Sequence, residues 1–96
     1  MDKANIGKTL KMLREERDLT MDMLCVDLNQ KYNIDVNKSQ LSRWERNEND
    51  PSLAFAVTLA DYYGVSVDYL LGLTPVRVPS RVLAYANKLK GGKNEH

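Results

Sequence analysis

A short polar segment near the middle of the chain carries side chains suited to reading base edges. Between Asn37 and Arg46, Leu41 and Trp44 stand three positions apart, the spacing of one helical turn. With that apolar pair facing inward, positions 39, 40 and 43 fall on the opposite face. Glutamine can form a bidentate pair with adenine, and arginine can do so with guanine. The segment therefore predicts a helix with one buried face and one face able to contact DNA bases.

The sequence offers little support for catalytic or metal chemistry. His96 and Cys25 are the single residues of their kinds, so no Ser–His–Asp set, no Cys–His set and no internal disulfide is expected. The acids and asparagines at 47–50 lack the ligand spacing and the glycine of a calcium loop. Cys25 falls at an apolar helical position, which favours a buried thiol over a redox sensor. We expect no enzyme, no metal and no cofactor.

Charge is unevenly distributed along the 96 residues, although the net charge is only +1. The basic excess lies in segments 1–17 and 77–96, whereas 18–76 is acidic. Any DNA contact must therefore rely on a local basic patch rather than on a global field. The N-terminal residues lack an apolar signal core, and no apolar run is long enough to span a bilayer, so a cytoplasmic protein without membrane partners is expected.

Hydrophobic periodicity predicts an all-α fold. Apolar residues recur at helical spacing, as in Ile6, Leu10 and Leu13, and strand signals are absent. Thr20 and Asn37 are good N-caps for the second and third helices. The six helices are expected at about 4–17, 20–31 and 37–46, from 50–52 to Gly64, and at 66–71 and 81–90.

Burial should follow the same pattern. The periodicity is lost from Gln30 to Val36, which predicts an extended connection, and Asn47 is expected to end the third helix in a left-handed conformation. The residues expected to face inward are Tyr32, Ile34 and Val36 in the connection, Leu53, Ala56, Val57, Ala60 and Tyr63 in the fourth helix, Val67, Leu70 and Leu71 in the fifth, and Val82, Tyr85, Ala86 and Leu89 on one side of the sixth.

Three segments together carry a family resemblance. The first, at 36–52, reads VNKSQLSRWERNENDPS; the second is Leu19-Thr20 with Leu24; the third, at 59–71, reads LADYYGVSVDYLL. In this order and spacing they resemble the phage-repressor and Cro-like helix-turn-helix family, often called XRE-type, over about residues 4–72. The resemblance implies a five-helix repressor-like domain whose third helix enters the major groove, with dimers binding two half-sites about one helical turn apart.

The resulting domain plan has four parts. A helix-turn-helix DNA-binding domain is expected at 1–72, a linker at 73–80, a C-terminal sixth helix at 81–90 and a disordered tail at 91–96. The sixth helix either packs back on its own domain or forms a dimer contact.

The resemblance also assigns roles to individual residues. It implies groove-facing side chains at Lys38, Ser39, Gln40 and Arg43, with phosphate contact as the alternative for Lys38 and Ser39. Glu45 matches a family position that pairs with an arginine of the first helix, here Arg14. Phosphate contacts are expected from residues flanking the third helix; they are Thr20, Met21, Lys31, Asn37, Arg46, Asn47 and Asn49.

Three departures from the family weaken the expected support around that helix. Met21 stands where relatives commonly have glutamine. Glu48 and Asp50 lie in a loop where relatives often carry basic residues. The connection from about Asn29 to Val36 is longer than the usual tight turn. Modest non-specific affinity for DNA is therefore expected.

The leading functional hypothesis is a sequence-specific transcriptional repressor that binds double-stranded operator DNA as a homodimer. A second is an antitoxin that represses its own operon, and a toxin or an antirepressor is then a possible protein partner. A third is a protein-interaction module that has kept the fold but lost DNA binding, which the acidic 18–76 segment keeps open.

Overall fold

The computed structural model describes residues 5–78, which form five helices and no strand. The helices are α1 (Ile6–Glu16), α2 (Met21–Tyr32), α3 (Lys38–Glu45), α4 (Leu53–Tyr63) and α5 (Val67–Leu70). The all-α prediction is confirmed. The predicted sixth helix at 81–90 and the predicted tail at 91–96 lie outside the described residues.

Each helix begins at a residue whose side-chain oxygen accepts a hydrogen bond from a backbone N–H three positions along the chain. This bond satisfies one of the N–H groups that a helix start leaves without a partner. The five capping residues are Asn5, Thr20, Asn37, Ser52 and Ser66. Because the caps are local, the helix starts follow closely from the sequence.

Left-handed residues end two of the helices and redirect the chain. Asn33 closes α2 with φ 52° and Gly64 closes α4 with φ 68°. Asn47, with φ 59°, follows the C-cap of α3 at Arg46. Asparagine and glycine adopt this conformation more readily than other residues. The predicted stop at Asn47 therefore lies where the third helix gives way to the loop before α4.

The core lies between α1, α2 and α3 and is closed by α4 and α5. Its members are aliphatic and aromatic side chains from all five helices and from the connection before α3. The buried members include Leu10, Leu13, Leu24, Leu28, Val36, Leu41, Trp44, Leu59, Tyr63 and Leu70. Burial of this apolar surface holds α3 in a fixed position against its neighbours.

The buried face of α4 is narrower at its start than the periodicity predicts. Leu53 is 74% exposed and Val57 is 50% exposed, so their predicted inward positions are wrong. Ala56, Ala60 and Tyr63 are buried as expected. Leu59 and Tyr62 are buried as well, and Phe55 in the first turn packs against Trp44 with ring centroids 4.9 Å apart, so Leu53 and Val57 lie on the side of α4 that faces solvent. In the fifth helix, Leu70 is buried while Val67 and Leu71 are half-buried.

The predicted extended connection begins later than expected. α2 continues through Tyr32, so residues 30–32 are helical rather than extended. Asn33 then turns the chain, and its backbone N–H donates to the Asn29 carbonyl. Ile34 is half-buried and Val36 is buried. The prediction that Ile34 and Val36 face inward is confirmed, although the first three residues of the predicted connection belong to α2.

The described part of the predicted 73–80 linker packs against the domain. The Ser66 N–H donates to the Arg77 carbonyl at 2.9 Å. The Arg77 guanidinium binds the Glu16 carboxylate at 2.7 Å and lies 5.5 Å from the Tyr69 ring centroid. The hydrogen bond from Arg77 lowers the pKa of Glu16 below its ordinary value. Residues 73–78 therefore connect the end of α5 back to α1.

None of the helices between residues 5 and 78 combines the length and the apolar character needed to cross a membrane.

Candidate nucleic-acid interface

Helix α3 has one face in the core and one face in solvent. Leu41 and Trp44 are buried, whereas Ser39 and Arg43 are exposed and Gln40 is half-buried. The outer face borders a shallow, mostly polar cleft that opens to solvent. Its lining comes from α3, the following loop and the start of α4: Asn37, Ser39, Gln40, Arg43, Trp44, Asn49, Asp50, Ser52 and Phe55. Three of the four predicted base-contacting residues therefore share one open surface.

Lys38 lies at the edge of this surface and is held by an acid. Its ammonium is 3.3 Å from a carboxylate oxygen of Asp22 in the first turn of α2. Both side chains are well exposed, so the pair is weak and screened by salt. Lys38 can still reach a phosphate or a base, but it must first leave Asp22.

The basic residue after α3 is also paired. Arg46 Nε lies 2.6 Å from a carboxylate oxygen of Glu48. By contrast, no carboxylate within residues 5–78 forms an ion pair with Arg43. Arg43 is therefore the cation on the outer face of α3 that is available to a ligand without breaking an ion pair with a described residue.

Arg14 and Glu45 form the contact expected between the first and third helices. Arg14 Nε donates to Glu45 Oε2 at 2.8 Å, and Nη2 donates to Oε1 at 3.0 Å. A third donor, Nη1, binds the Leu19 carbonyl at 2.9 Å. The side chains are only 16% and 7% exposed. The hydrogen bonds with Glu45 raise the pKa of Arg14 above its ordinary value. The two-pronged geometry fixes the end of α3 against α1.

A second contact, between the start of α1 and the turn after α3, was not anticipated from the sequence. The Gly7 N–H donates to Asn47 Oδ1 at 3.0 Å, and Asn47 Nδ2 donates to Asn5 Oδ1 at 2.8 Å. A Cβ at Gly7 would lie 2.5 Å from the Glu45 carbonyl oxygen, which is too close. The sequence signal that could have indicated this contact is the position of Gly7 inside a helical pattern, because a glycine there often marks close packing.

Asn47 and Asn37 thus have their side chains engaged within the domain. The Asn47 amide bridges to the start of α1, and its own N–H donates to the Trp44 carbonyl. Asn37 Oδ1 accepts from the Gln40 N–H at 2.8 Å as the cap of α3. Asn37 also lines the cleft, whereas a phosphate contact from the Asn47 side chain would compete with its contacts to Gly7 and Asn5.

The other predicted phosphate ligands occupy different positions. Thr20 Oγ1 accepts from the Met23 N–H at 3.1 Å, so the hydroxyl caps α2, and Met21 is half-buried. Asn49 lines the cleft beside α3. Lys31 lies apart from that cleft, in a depression shared with Arg17 and Tyr62. Its ammonium is 5.8 Å from the Tyr62 ring centroid.

The α2–α3 connection is held by Asn29, which sequence reasoning missed. Asn29 Nδ2 donates to the Val36 carbonyl at 2.9 Å, and the Val36 N–H donates to Asn29 Oδ1 at 2.8 Å. The Cys25 thiol donates to the same carbonyl at 3.1 Å. Cys25 is half-buried, and its thiol takes part in this local network. An asparagine at the end of a helix is too common a signal to have identified the contact.

Tyrosines join α2 and α4 at the side of the domain where Lys31 lies. The Tyr62 hydroxyl donates to Asp27 at 2.8 Å, and the Tyr32 hydroxyl donates to Asp61 at 2.6 Å. Burial, followed by the bond to Asp27, raises the pKa of Tyr62 to about 12. Arg17 donates to the Tyr62 carbonyl and lies over its ring. The two tyrosine–aspartate hydrogen bonds join α2 to α4.

Helices α2 and α3 pack against each other. The inner side of α3 is supported by α1, and its outer face is open to solvent. This arrangement defines a helix-turn-helix domain. Residues 10–70 match the family model described as helix-turn-helix. The chain belongs to this family, in its XRE-type branch of DNA-binding transcriptional regulators.

Two curated relatives from Bacillus subtilis (strain 168) are similar to the chain. One is the uncharacterized HTH-type transcriptional regulator YobD, 40% identical over 65 residues, which are 68% of this chain and 53% of that protein. Another is the HTH-type transcriptional regulator ImmR, 34% identical over 68 residues, which are 71% of this chain and 49% of that protein. The chain thus spans about half the length of these relatives.

Proposed function

We propose that this protein is a sequence-specific transcriptional repressor that binds operator DNA as a homodimer, with α3 in the major groove. The observation that carries the proposal is the two-sided character of α3. Leu41 and Trp44 anchor its inner face, while Ser39, Gln40 and Arg43 border an open cleft. Because its inner face stays packed in the core, α3 can present its outer face to the major groove without any change in the packing of the domain.

Base recognition is assigned mainly to Gln40 and Arg43. The amide of Gln40 matches the donor and acceptor edge of adenine, and the guanidinium of Arg43 matches guanine O6 and N7. Each such pair discriminates against a wrong base by about 1–3 kcal/mol. Ser39 and Lys38 stand beside them on the first turn and can contact either a base or the adjacent phosphate.

Phosphate binding is assigned to the backbone N–H groups at the starts of α2 and α3 and to the polar side chains around them. These N–H groups carry the positive end of the helix dipole. Asn37 and Asn49 border the cleft, and Arg46 can add charge after leaving Glu48. Such contacts orient the protein on the duplex but do not read its sequence.

A dimer is proposed because one eight-residue helix reaches few base pairs. Two copies related by a two-fold axis would read two half-sites separated by about 34–36 Å. The relatives named above are regulators of transcription by title. A repressor acting on the DNA next to its own gene is the simplest regulator of this kind.

A mobility-shift assay tests the proposal. The DNA is the intergenic segment upstream of the gene, compared with a scrambled segment of the same length at two salt concentrations. Specific binding that weakens steeply with salt is expected, because phosphate contacts release counterions. Arg43→Ala should abolish preference for the upstream segment, whereas Lys11→Ala, which removes one exposed charge from α1, should not.

The opposite result has a definite meaning. If the protein does not bind the upstream segment, or binds both segments equally at low salt, sequence-specific repression is refuted. The acids that pair with Lys38 and Arg46 would then favour a domain that has kept the fold for contact with another protein.

A further inference from the structure

The connection between α2 and α3 is long for a helix-turn-helix, and a side chain of α2 restricts its conformation in place of a tight turn. It runs from Asn33 to Asn37, between the end of α2 at Tyr32 and the start of α3 at Lys38. A five-residue connection of this kind has more backbone freedom than a tight turn. Something must therefore fix its path if α3 is to hold one orientation.

Asn29 supplies that constraint from within α2. Its side-chain amide donates to and accepts from the same residue, Val36, at 2.9 and 2.8 Å. The amide group thus pairs with the Val36 peptide groups as a neighbouring strand would. Two hydrogen bonds to one residue restrict both its distance and its rotation. The Cys25 thiol adds a third, weaker bond to the Val36 carbonyl.

The constrained residue is the last one before the cap of α3. Val36 is buried, and the next residue, Asn37, caps the helix through its bond to the Gln40 N–H. The other end of α3 is held separately, since Glu45 binds Arg14 of α1. Without Asn29, α3 would keep its C-terminal attachment, while its N-terminal end would rely on the Cys25 thiol bond, the burial of Val36 and the exposed Lys38–Asp22 pair, and would be freer to pivot.

We propose that Asn29 is a positioning residue for DNA recognition: it sets the angle at which α3 presents Gln40 and Arg43 to the bases. The inference rests on the proposed function. The proposed base contacts of Gln40 and Arg43 are bidentate, so each side chain needs two of its atoms at hydrogen-bond distance from the base at the same time. A pivot at the start of α3 would misplace Gln40 more than Arg43, because Gln40 lies closer to the freed end.

Two substitutions separate the parts of the contact. Asn29→Leu keeps the branching of the side chain and removes both hydrogen bonds. Asn29→Asp keeps an acceptor for the Val36 N–H but places a carboxylate oxygen against the Val36 carbonyl. The control variants are Gln30→Ala, which changes an exposed neighbour on α2, and Ser66→Ala, which destabilises the domain by removing the α5 cap far from the connection.

The first measurement does not require DNA. Amide hydrogen exchange at Val36 and residual dipolar couplings of α3 relative to α1 are recorded by nuclear magnetic resonance on the folded full chain. In both Asn29 variants we expect faster exchange at Val36 and altered couplings confined to α3. The control variants should leave the α3 couplings unchanged.

The second measurement is the ratio of affinities for operator and scrambled DNA, at a temperature where every variant is folded. Because α3 would then misplace the bidentate contact of Gln40, this ratio should fall about tenfold in Asn29→Leu. Affinity for scrambled DNA should change little, because phosphate contacts tolerate small shifts. Ser66→Ala should lower the melting temperature but leave the ratio intact.

The outcomes distinguish this inference from the proposed function. Unchanged exchange and couplings in the Asn29 variants overturn the inference, whatever the DNA result. Altered couplings with an unchanged affinity ratio overturn it as well, since the angle would then not matter for recognition. Failure of the unaltered protein to prefer any operator refutes the proposed function, while the couplings still decide whether Asn29 positions α3. If Asn29→Leu fails to fold, Asn29→Asp provides the same comparisons.

Discussion

Glu45→Gln should destabilise the domain strongly, because it breaks a nearly buried ion pair and leaves Arg14 charged. Removing one partner of a buried pair costs about 3–5 kcal/mol. Arg14 is 16% exposed and keeps its hydrogen bond to the Leu19 carbonyl, and glutamine keeps one acceptor oxygen. We therefore expect a smaller loss, about 2 kcal/mol. For a domain of this size, that corresponds to a fall in Tm of about 8–16 °C.

Thermal unfolding followed by circular dichroism at 222 nm measures this loss. Glu48→Gln is the matched control, because Glu48 pairs with Arg46 while 52% exposed and 60% of the Arg46 side chain is exposed. Breaking an exposed pair changes stability by about 1 kcal/mol or less. A double-mutant cycle with Arg14→Met isolates the coupling between the two residues. If Glu45→Gln and Glu48→Gln melt at the same temperature, the proposed role of the Arg14–Glu45 pair is refuted.

Three further predictions concern packing, binding and pH. Gly7→Ala should lower the free energy of unfolding by about 1–3 kcal/mol, since the new Cβ would overlap the Glu45 carbonyl; a urea titration that shows higher stability would contradict the close approach. Glu48→Gln should strengthen binding to scrambled DNA and steepen its salt dependence, because Arg46 would be released for phosphate; fluorescence anisotropy that shows no change would exclude masking of Arg46. Stability should fall as pH rises from about 10 through about 12, because the folded state favours the neutral form of Tyr62 and ionisation is easier in the unfolded chain; urea midpoints measured against pH should show a shallower fall in Tyr62→Phe.

The local features of the fold were predictable from the order of residues alone. Asn37 caps α3 because its short side chain reaches the N–H three residues ahead, and this geometry needs no distant partner. The division of α3 into an inner face with Leu41 and Trp44 and an outer face with Ser39 and Arg43 follows from the helical period. Both kinds of information lie within one turn of helix.

The wrong and missing predictions concern residues whose surroundings are set by distant parts of the chain. Leu53 and Val57 have the spacing of core residues, yet they are 74% and 50% exposed, because α4 turns a different face, with Phe55, Leu59 and Tyr62, toward the rest of the domain. Asn29 and Gly7 carried almost no signal, because an asparagine or a glycine in a helix has many possible roles. Their importance comes from Val36, seven positions away, and from Asn47, forty positions away.

For this protein, helix starts, helix faces and membership of the helix-turn-helix family follow from residues that interact within a few positions or recur at helical spacing. The availability of the recognition surface depends on packing in three dimensions. Lys38 and Arg46 are predicted from the sequence as DNA contacts, but folding brings Asp22 against the first of them, and the turn after α3 brings Glu48 against the second. Charge pairing depends on distance in space, so only the placement of the helices shows that Arg43, on the outer face of α3, forms no ion pair with a carboxylate of residues 5–78.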